Sequence, residues 1–173
     1  MRKIFLLCGI ILLFPMHTAF AQNNAIVLGY GFGYLNTHQR PGKIEDDRTY
    51  NYLQLLYARE IHLVERAFLV LEPFFIYDSA PSGVDLGFGV LFRYYVPAVE
   101  RSRFFFDIGG GGVYSTVDFK EQSIDALFIL QAGLGWRWKW FSIEDRFRHY
   151  SNGGLFTPNH SINSNVILLG FHF

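Results

Sequence analysis

Short segments that alternate large apolar residues with small or polar ones recur along the chain after residue 24. In the first of them, Ile26, Leu28 and Tyr30 alternate with Val27 and Gly29. A period of two residues is typical of β-strands, whose successive side chains point to opposite faces of the sheet. The pattern therefore predicts an all-β protein whose large apolar residues cover one face of the sheet.

Eight segments show this alternation, and each has about the length at which a tilted strand crosses the hydrocarbon of a bilayer. An open sheet would leave edge amides unpaired in lipid, whereas an even number of antiparallel strands can close into a barrel. We expect an eight-stranded antiparallel transmembrane β-barrel, with large residues facing lipid and side chains filling a narrow lumen. The expected strands cover about residues 25–35, 50–60, 67–77, 84–96, 103–114, 126–138, 140–151 and 164–173.

The C-terminal segment points to one kind of membrane barrel. Ile167, Leu169, Phe171 and Phe173 form an apolar face that ends on an aromatic carboxy-terminus. This face resembles the C-terminal sorting signature of bacterial outer-membrane barrels, so we expect the protein in the bacterial outer membrane. A soluble β-sandwich that ends on phenylalanine is the alternative.

The N-terminal residues 1–21 have the layout of a secretory signal peptide. Arg2 and Lys3 precede an apolar stretch, and Ala19-Phe20-Ala21 fits the small-x-small cleavage pattern. The barrel domain is then expected to cover residues 22–173. Cys8, the only cysteine, lies inside the apolar stretch and would leave with the signal. Attachment of a lipid at Cys8, as in a lipoprotein, is the alternative.

The composition limits the partners of the chain. The sequence has 15 basic and 15 acidic residues, and loss of Arg2 and Lys3 with the signal leaves 13 against 15. This near balance gives no reason to propose nucleic acid as a partner. The mature chain would have no cysteine, and His160 and His172 are not at metal-ligand spacing, so we expect neither a metal nor a cofactor.

The lengths of the connections orient the barrel. The longer and more polar connections mostly follow the odd-numbered strands, and long loops of such barrels lie outside the cell. The seventh strand is therefore expected to run outward and to end at the outer membrane boundary. The expected outer loops cover residues 36–48, 78–83, 115–125 and 152–163.

A histidine and a serine lie together at the end of the seventh strand. His149 and Ser151 are two residues apart, so their side chains share a face and lie about 7 Å apart. The alternation of the strand assigns this face to the lipid, and the imidazole can lean along the strand towards the hydroxyl. A serine with an adjacent base is the minimum for a nucleophilic hydrolase. Interfacial polar residues without chemistry are the alternative.

The residues around this pair carry a family resemblance. They are His149-Tyr150-Ser151-Asn152, Gly154-Leu155, Pro158-Asn159 and Ile162. In this C-terminal part the chain resembles the lipid A 3-O-deacylase family, PagL. The resemblance implies a barrel whose outer wall bears an esterase site, and removal of the acyl chain that is ester-linked at position 3 of lipid A. It implies lipid A or lipopolysaccharide as substrate and outer-membrane lipids as surroundings, with a homodimer left open.

The resemblance also implies roles for individual residues. His149 would be the general base and Ser151 the nucleophile. Asn152 and the backbone amides of Gly153 and Gly154 would stabilise the oxyanion. Glycine suits this last role, because a residue without a Cβ lets its backbone N–H approach a reacting carbonyl closely.

One position departs from the family. The catalytic acid of the family is a glutamate twelve residues after the serine, and this chain has Asn163 there. We expect the Asn163 amide oxygen to orient His149 without adding a negative charge. Glu144 is expected inside the barrel, and Asp145 is expected too far down the strand to replace the glutamate. A non-catalytic small barrel, structural or adhesive, that retains a degenerate site is therefore the rival hypothesis.

The inward faces of the strands carry charged residues. Because unpaired charges away from water are costly, we expect them to pair inside the lumen. They are Glu72, Asp85, Arg93, Asp107, Arg137, Glu144, Arg146 and Arg148.

Overall fold

The computed structural model describes residues 23–35, 48–79, 82–96, 103–119 and 121–173. The signal peptide predicted for residues 1–21 lies outside the described residues, so its cleavage stays a prediction. No helix in the described ranges has the length and hydrophobicity that a membrane span requires.

The described residues form eight antiparallel strands that close into one barrel, which confirms the predicted fold. The first strand pairs with the second and with the last, so the sheet has no free edge. The strands are β1 (Asn24–Leu35), β2 (Arg48–Val64), β3 (Ala67–Ser79), β4 (Ser82–Val96), β5 (Arg103–Ser115), β6 (Ala126–Arg137), β7 (Phe141–Ser151) and β8 (Ile162–His172).

Burial alternates along the strands as the sequence predicts. In β1 the large residues Ile26, Leu28 and Tyr30 are exposed on the outside, whereas the residues between them are buried. Gly31 faces the lumen against the ring of Tyr52, and a Cβ at this position would overlap that ring. The inward glycines of β1 therefore make room for aromatic side chains inside a narrow barrel.

The charged residues of the lumen form a connected network. Arg93 pairs with Glu60 at 2.7 Å and with Asp107 at 2.6 Å, and Arg146 pairs with Glu72 and Glu144. Opposite charges thus lie beside each other wherever these side chains are removed from water, as buried ions require. Glu60 is a member of the network that the sequence pattern did not single out.

The predicted pairing is wrong for two of the inward residues. Among the described residues, Asp85 and Arg148 form no ion pair, and Arg148 donates to the Gln131 amide oxygen at 3.0 Å. The charges of Asp85 and Arg148 attract each other across the lumen without a direct bond between the two side chains.

The predicted alternation of loop lengths is wrong between β3 and β4. Ser79 at the end of β3 pairs with Ser82 at the start of β4, so residues 78–83 are not a long outer loop. The connection between β4 and β5 spans residues 97–102 and is the longer of the two. Hydrogen-bonded pairing at this hairpin continues beyond the apolar alternation from which the strand ends were predicted.

Candidate active site

β7 places the predicted histidine and serine on the outer face of the barrel, beside the loop that leads to β8. Arg148 and Tyr150 are buried in the lumen, and His149 and Ser151 are half-buried on the opposite face. The parity predicted from the sequence is confirmed, so both side chains face the surroundings of the barrel.

His149 is held by the strand beside it. His149 and Asn163 are direct cross-strand partners between β7 and β8, and His149 Nδ1 lies 2.8 Å from Asn163 Oδ1. An amide oxygen accepts hydrogen bonds, so Nδ1 carries the proton and donates it to Asn163. The other ring nitrogen, Nε2, is then unprotonated in the neutral imidazole and can accept a proton.

Ser151 lies two residues beyond His149 on the same face of β7, and the two side chains are not hydrogen-bonded to each other. In the part of the chain that the structure describes, no hydrogen bond connects His149 with Ser151. The Ser151 Oγ instead accepts a hydrogen bond of 3.4 Å from the Gly153 N–H. Catalytic hydrogen bonds are often long or absent before the substrate binds, and side chains two residues apart on one face can approach by rotation.

Asn152 organises the loop that follows the serine. It is fully buried, and its Nδ2 donates to the backbone oxygens of Phe156 at 3.0 Å and Pro158 at 3.1 Å. Its backbone N–H donates to Asn159 Oδ1 at 2.9 Å, and its own Oδ1 accepts from the Gly154 N–H at 3.0 Å. A single buried side chain therefore fixes the course of the loop from residue 152 to residue 159.

The oxyanion role predicted for Asn152 stays a prediction, and these bonds show which of its donors already have acceptors. Both its side-chain amide and its backbone N–H already have acceptors within the loop, and the Gly154 N–H is bound to Asn152 Oδ1. The Gly153 N–H donates to Ser151 Oγ at 3.4 Å and, among the described residues, to no group further along the loop. Gly153 and Gly154 have φ angles of 69° and 75°, a conformation that favours glycine and turns the backbone at this point.

The loop between β5 and β6 braces the serine loop from the side. Gln122 Nε2 donates to the His160 backbone oxygen at 2.5 Å, and the His160 N–H donates to the Glu121 backbone oxygen at 2.9 Å. Asn152 Nδ2 also reaches Ser123 Oγ at 3.5 Å. The sequence carries no signal for these residues, because their contact depends on how two separate loops meet above the barrel.

A polar strip descends from His149 along the outer wall. Asn165 follows Asn163 on the outer face of β8, and its Nδ2 lies 3.5 Å from Asp145 Oδ1 on β7. The sequence analysis did not identify Asn165, although two asparagines on the outer face of a strand that is otherwise apolar indicate a polar site.

The two acidic residues of β7 lie where the sequence predicts. Glu144 is buried inside the barrel, and Asp145 contacts Asn165 rather than His149.

Apolar side chains flank the pair on the β6 side of the outer wall. Leu130 on β6 lies opposite His149, and Phe128 on β6 lies opposite Ser151. Both are more than half exposed, at 62% and 53%. An imidazole and a hydroxyl group thus sit beside exposed apolar side chains on the outer wall of the barrel.

Comparisons with known proteins identify relatives of this barrel. A family model described as lipid A 3-O-deacylase (PagL) matches residues 28–172. The comparison with curated proteins gave no match.

Solved structures show the same fold. The crystal structure of the outer membrane enzyme PagL has a TM-score of 0.67 and 18% identity, and covers 85% of this chain and 98% of that one. The crystal structure of Neisserial surface protein A (NspA) has a TM-score of 0.59 and 8% identity, with 87% and 97% covered. At 18% and 8% identity, the two solved structures show that this chain shares their barrel fold. The family is shown by the match of the sequence to the family model.

Proposed function

This chain belongs to the lipid A 3-O-deacylase (PagL) family, and from that premise we propose that it removes the acyl chain ester-linked at position 3 of lipid A. The barrel is a protein of the bacterial outer membrane. Its proposed site is the group His149, Ser151 and Asn163 on the outer wall. The observation that carries the proposal is the 2.8 Å hydrogen bond that fixes His149 to Asn163 beside the serine.

In the proposed reaction, Ser151 Oγ attacks the ester carbonyl carbon while His149 Nε2 takes the hydroxyl proton. The Gly153 N–H donates to the oxyanion of the tetrahedral intermediate. The intermediate collapses to an acyl-enzyme, and the sugar oxygen leaves with the proton from His149. Water, deprotonated by His149, then attacks the acyl-enzyme, and the fatty acid and the free serine result.

Asn163 fixes the imidazole in this scheme. By accepting from Nδ1–H it selects the tautomer whose Nε2 is free, and it prevents rotation of the ring away from the serine. It does not neutralise the imidazolium that forms as the serine is deprotonated, because an amide carries no charge. The chain is therefore proposed to be a slower hydrolase than one with a carboxylate at position 163.

The position of the site suits a substrate that is itself a membrane lipid. The outward neighbours of the pair on β6, Leu130 and Phe128, are apolar, so the acyl chain can stay in hydrocarbon while its ester reaches Ser151. The ester lies at the boundary of the hydrocarbon, which is where the outer end of β7 is proposed to sit. The lipid need not leave the membrane for the reaction.

The test is direct. Purified protein is incubated with lipopolysaccharide, and released 3-hydroxy fatty acid is followed by mass spectrometry. We expect release by the wild type, and a loss of about 10³-fold or more in Ser151→Ala and in His149→Ala. Ser82→Ala, an exposed serine at the same end of the barrel but on β4, is the matched control and should retain the wild-type rate.

The rival hypothesis, a non-catalytic barrel with a degenerate site, predicts that the wild type releases no fatty acid in the same assay. Absence of release, or equal release by Ser151→Ala and the wild type, contradicts the esterase proposal. The barrel fold alone does not decide between the two, since a neisserial surface protein shares it.

A further inference from the structure

Two large apolar side chains project from the loop that carries the site. Leu155 is 67% exposed and Phe156 is 52% exposed, only a few residues after Ser151. The nine residues from 151 to 159 include no charged side chain. An exposed apolar pair without charges around it is suited to hydrocarbon rather than to a phosphate or to bulk water.

The exposure of this pair is built into the loop. Asn152 holds the backbone oxygen of Phe156 at 3.0 Å, and the Leu155 N–H donates to the Asn152 backbone oxygen at 3.3 Å. Because Asn152 is fully buried, these bonds anchor the backbone of the two residues to the barrel rim. The side chains are therefore held outward, and they do not fold back onto the barrel.

The loop is also continuous with the outer wall. Gly153 lies against the ring of Phe128, where an added Cβ would be 3.1 Å from Phe128 Cε2. Phe128 faces outward and lies opposite Ser151 across β6 and β7. The backbone thus leaves the barrel over its outer face, and apolar surface is present both beside Ser151 and beyond it.

We infer that Leu155 and Phe156 form the outer edge of an acyl-binding surface, which contacts the hydrocarbon of the lipid whose ester lies at Ser151. This inference rests on the proposed function and adds a substrate-binding element to it. The two side chains contribute to binding of the lipid, and His149 and Ser151 perform the chemical step. They are expected to favour long-chain lipid esters over short-chain soluble ones.

The kinetic test compares two substrates. In Leu155→Ser/Phe156→Ser, we expect KM for lipopolysaccharide in vesicles to rise about tenfold with kcat unchanged. Hydrolysis of a short-chain p-nitrophenyl ester should stay within about twofold of the wild type. The control is Tyr77→Ser, an exposed aromatic on the outer face of β3, which lies across the barrel from β7.

The kinetic result can overturn the inference in two ways. An unchanged KM for lipopolysaccharide removes the role of Leu155 and Phe156 in substrate binding. An equal loss of activity on the short-chain ester assigns the pair to the structure of the site instead.

A second measurement locates the pair without relying on activity. In a Cys8→Ser background, Phe156→Cys carries an environment-sensitive fluorophore, and the vesicles contain a phospholipid with a nitroxide near the top of its acyl chain. We expect stronger quenching than at Asp118→Cys, an exposed position on the loop between β5 and β6. Equal and weak quenching at both positions overturns the lipid contact. If the wild type releases no fatty acid, the proposed function fails, while the quenching still decides whether the pair contacts lipid.

Discussion

At the scale of single residues, the contact between His149 and Asn163 sets the chemistry that the site can perform. The 2.8 Å bond to an amide oxygen orients the ring and selects its tautomer. A carboxylate at this position would also stabilise the charged imidazole in the transition state. In the proposed mechanism, Asn163 therefore orients the base and does not supply the negative charge that a carboxylate would add.

Replacement of Asn163 by glutamate is expected to restore that contribution. We expect Asn163→Glu to raise kcat about tenfold, because a carboxylate next to Nδ1–H stabilises the imidazolium that forms when Ser151 is deprotonated. The same charge makes His149 retain its proton to a higher pH. The base must be neutral to act, so the acidic limb of the pH–rate profile should move to higher pH. Fatty-acid release measured from acidic to alkaline pH checks both effects.

Two variants control this prediction. Asn165→Glu places the same charge two residues further down β8, beside Asp145 and away from His149, and should raise kcat less. Asn163→Leu removes the acceptor and should lower kcat without a shift of the pH profile. A profile of Asn163→Glu that matches the wild type would remove Asn163 from the assignment.

The residues of the site differ in how far the sequence could predict them. Strand parity is local, and it correctly placed His149 and Ser151 on the outer face and Glu144 inside. The expectation that Asn163 orients His149 came from the resemblance to the PagL family, and the structure makes the two residues cross-strand partners. Asn152 could not be interpreted in this way, because the acceptors of its amide depend on the course of the loop in three dimensions.

At the scale of elements, β7 supports the site from behind. Its outward face carries His149 and Ser151, and its inward face places Arg146 in the lumen between Glu72 and Glu144. The arginine side chain is 1% exposed, and so is that of Glu72. Such a buried arrangement is stabilising only while every charge has its partner.

Removal of the arginine is therefore expected to destabilise the barrel. We expect Arg146→Met to lower the free energy of unfolding by about 3–5 kcal/mol, because the carboxylates of Glu72 and Glu144 stay buried without it. Urea unfolding of the vesicle-inserted protein, followed by tryptophan fluorescence, measures the change. Arg59→Met, on the exposed outer face of β2, is the control and should change the value by less than about 0.5 kcal/mol. Equal losses in the two variants would show that the lumen network contributes nothing specific.

The strands were predictable as elements because their signal is periodic and local. All eight appear at the predicted places, with ends that differ by a few residues. The predicted strand ends were less accurate where the backbones of two strands stay paired beyond the last alternating apolar residue. β2 continues to Val64 with a bulge after His62, and β3 and β4 pair up to Ser79 and Ser82. Turn positions depend on backbone pairing, which hydrophobic periodicity does not report.

At the scale of the whole molecule, closure of the barrel determines from which side a substrate can reach the proposed site. Eight strands give a lumen that side chains fill, including Arg93, Arg146, Phe105 and Leu91, all buried. No lipid can pass through such an interior to reach a site, whereas the outer wall faces the membrane over its full height. The proposed site lies on that wall, at the end of the barrel where the loop between β7 and β8 emerges.

This placement predicts that the proposed reaction takes place in one leaflet. His149 and Ser151 lie at the loop end of β7, and lipid in the other leaflet would meet the wall near Phe141, at the opposite end of the strand. We expect hydrolysis in proteoliposomes when lipopolysaccharide is in the leaflet beside the loops, and about tenfold less or none when it is in the other leaflet. Protease cleavage of the loops reports the orientation of the barrel, and mass spectrometry reports the released acid. The wild type should regain full activity when detergent removes the difference between leaflets. Equal rates for both leaflets before detergent would contradict a site at the loop end of the wall.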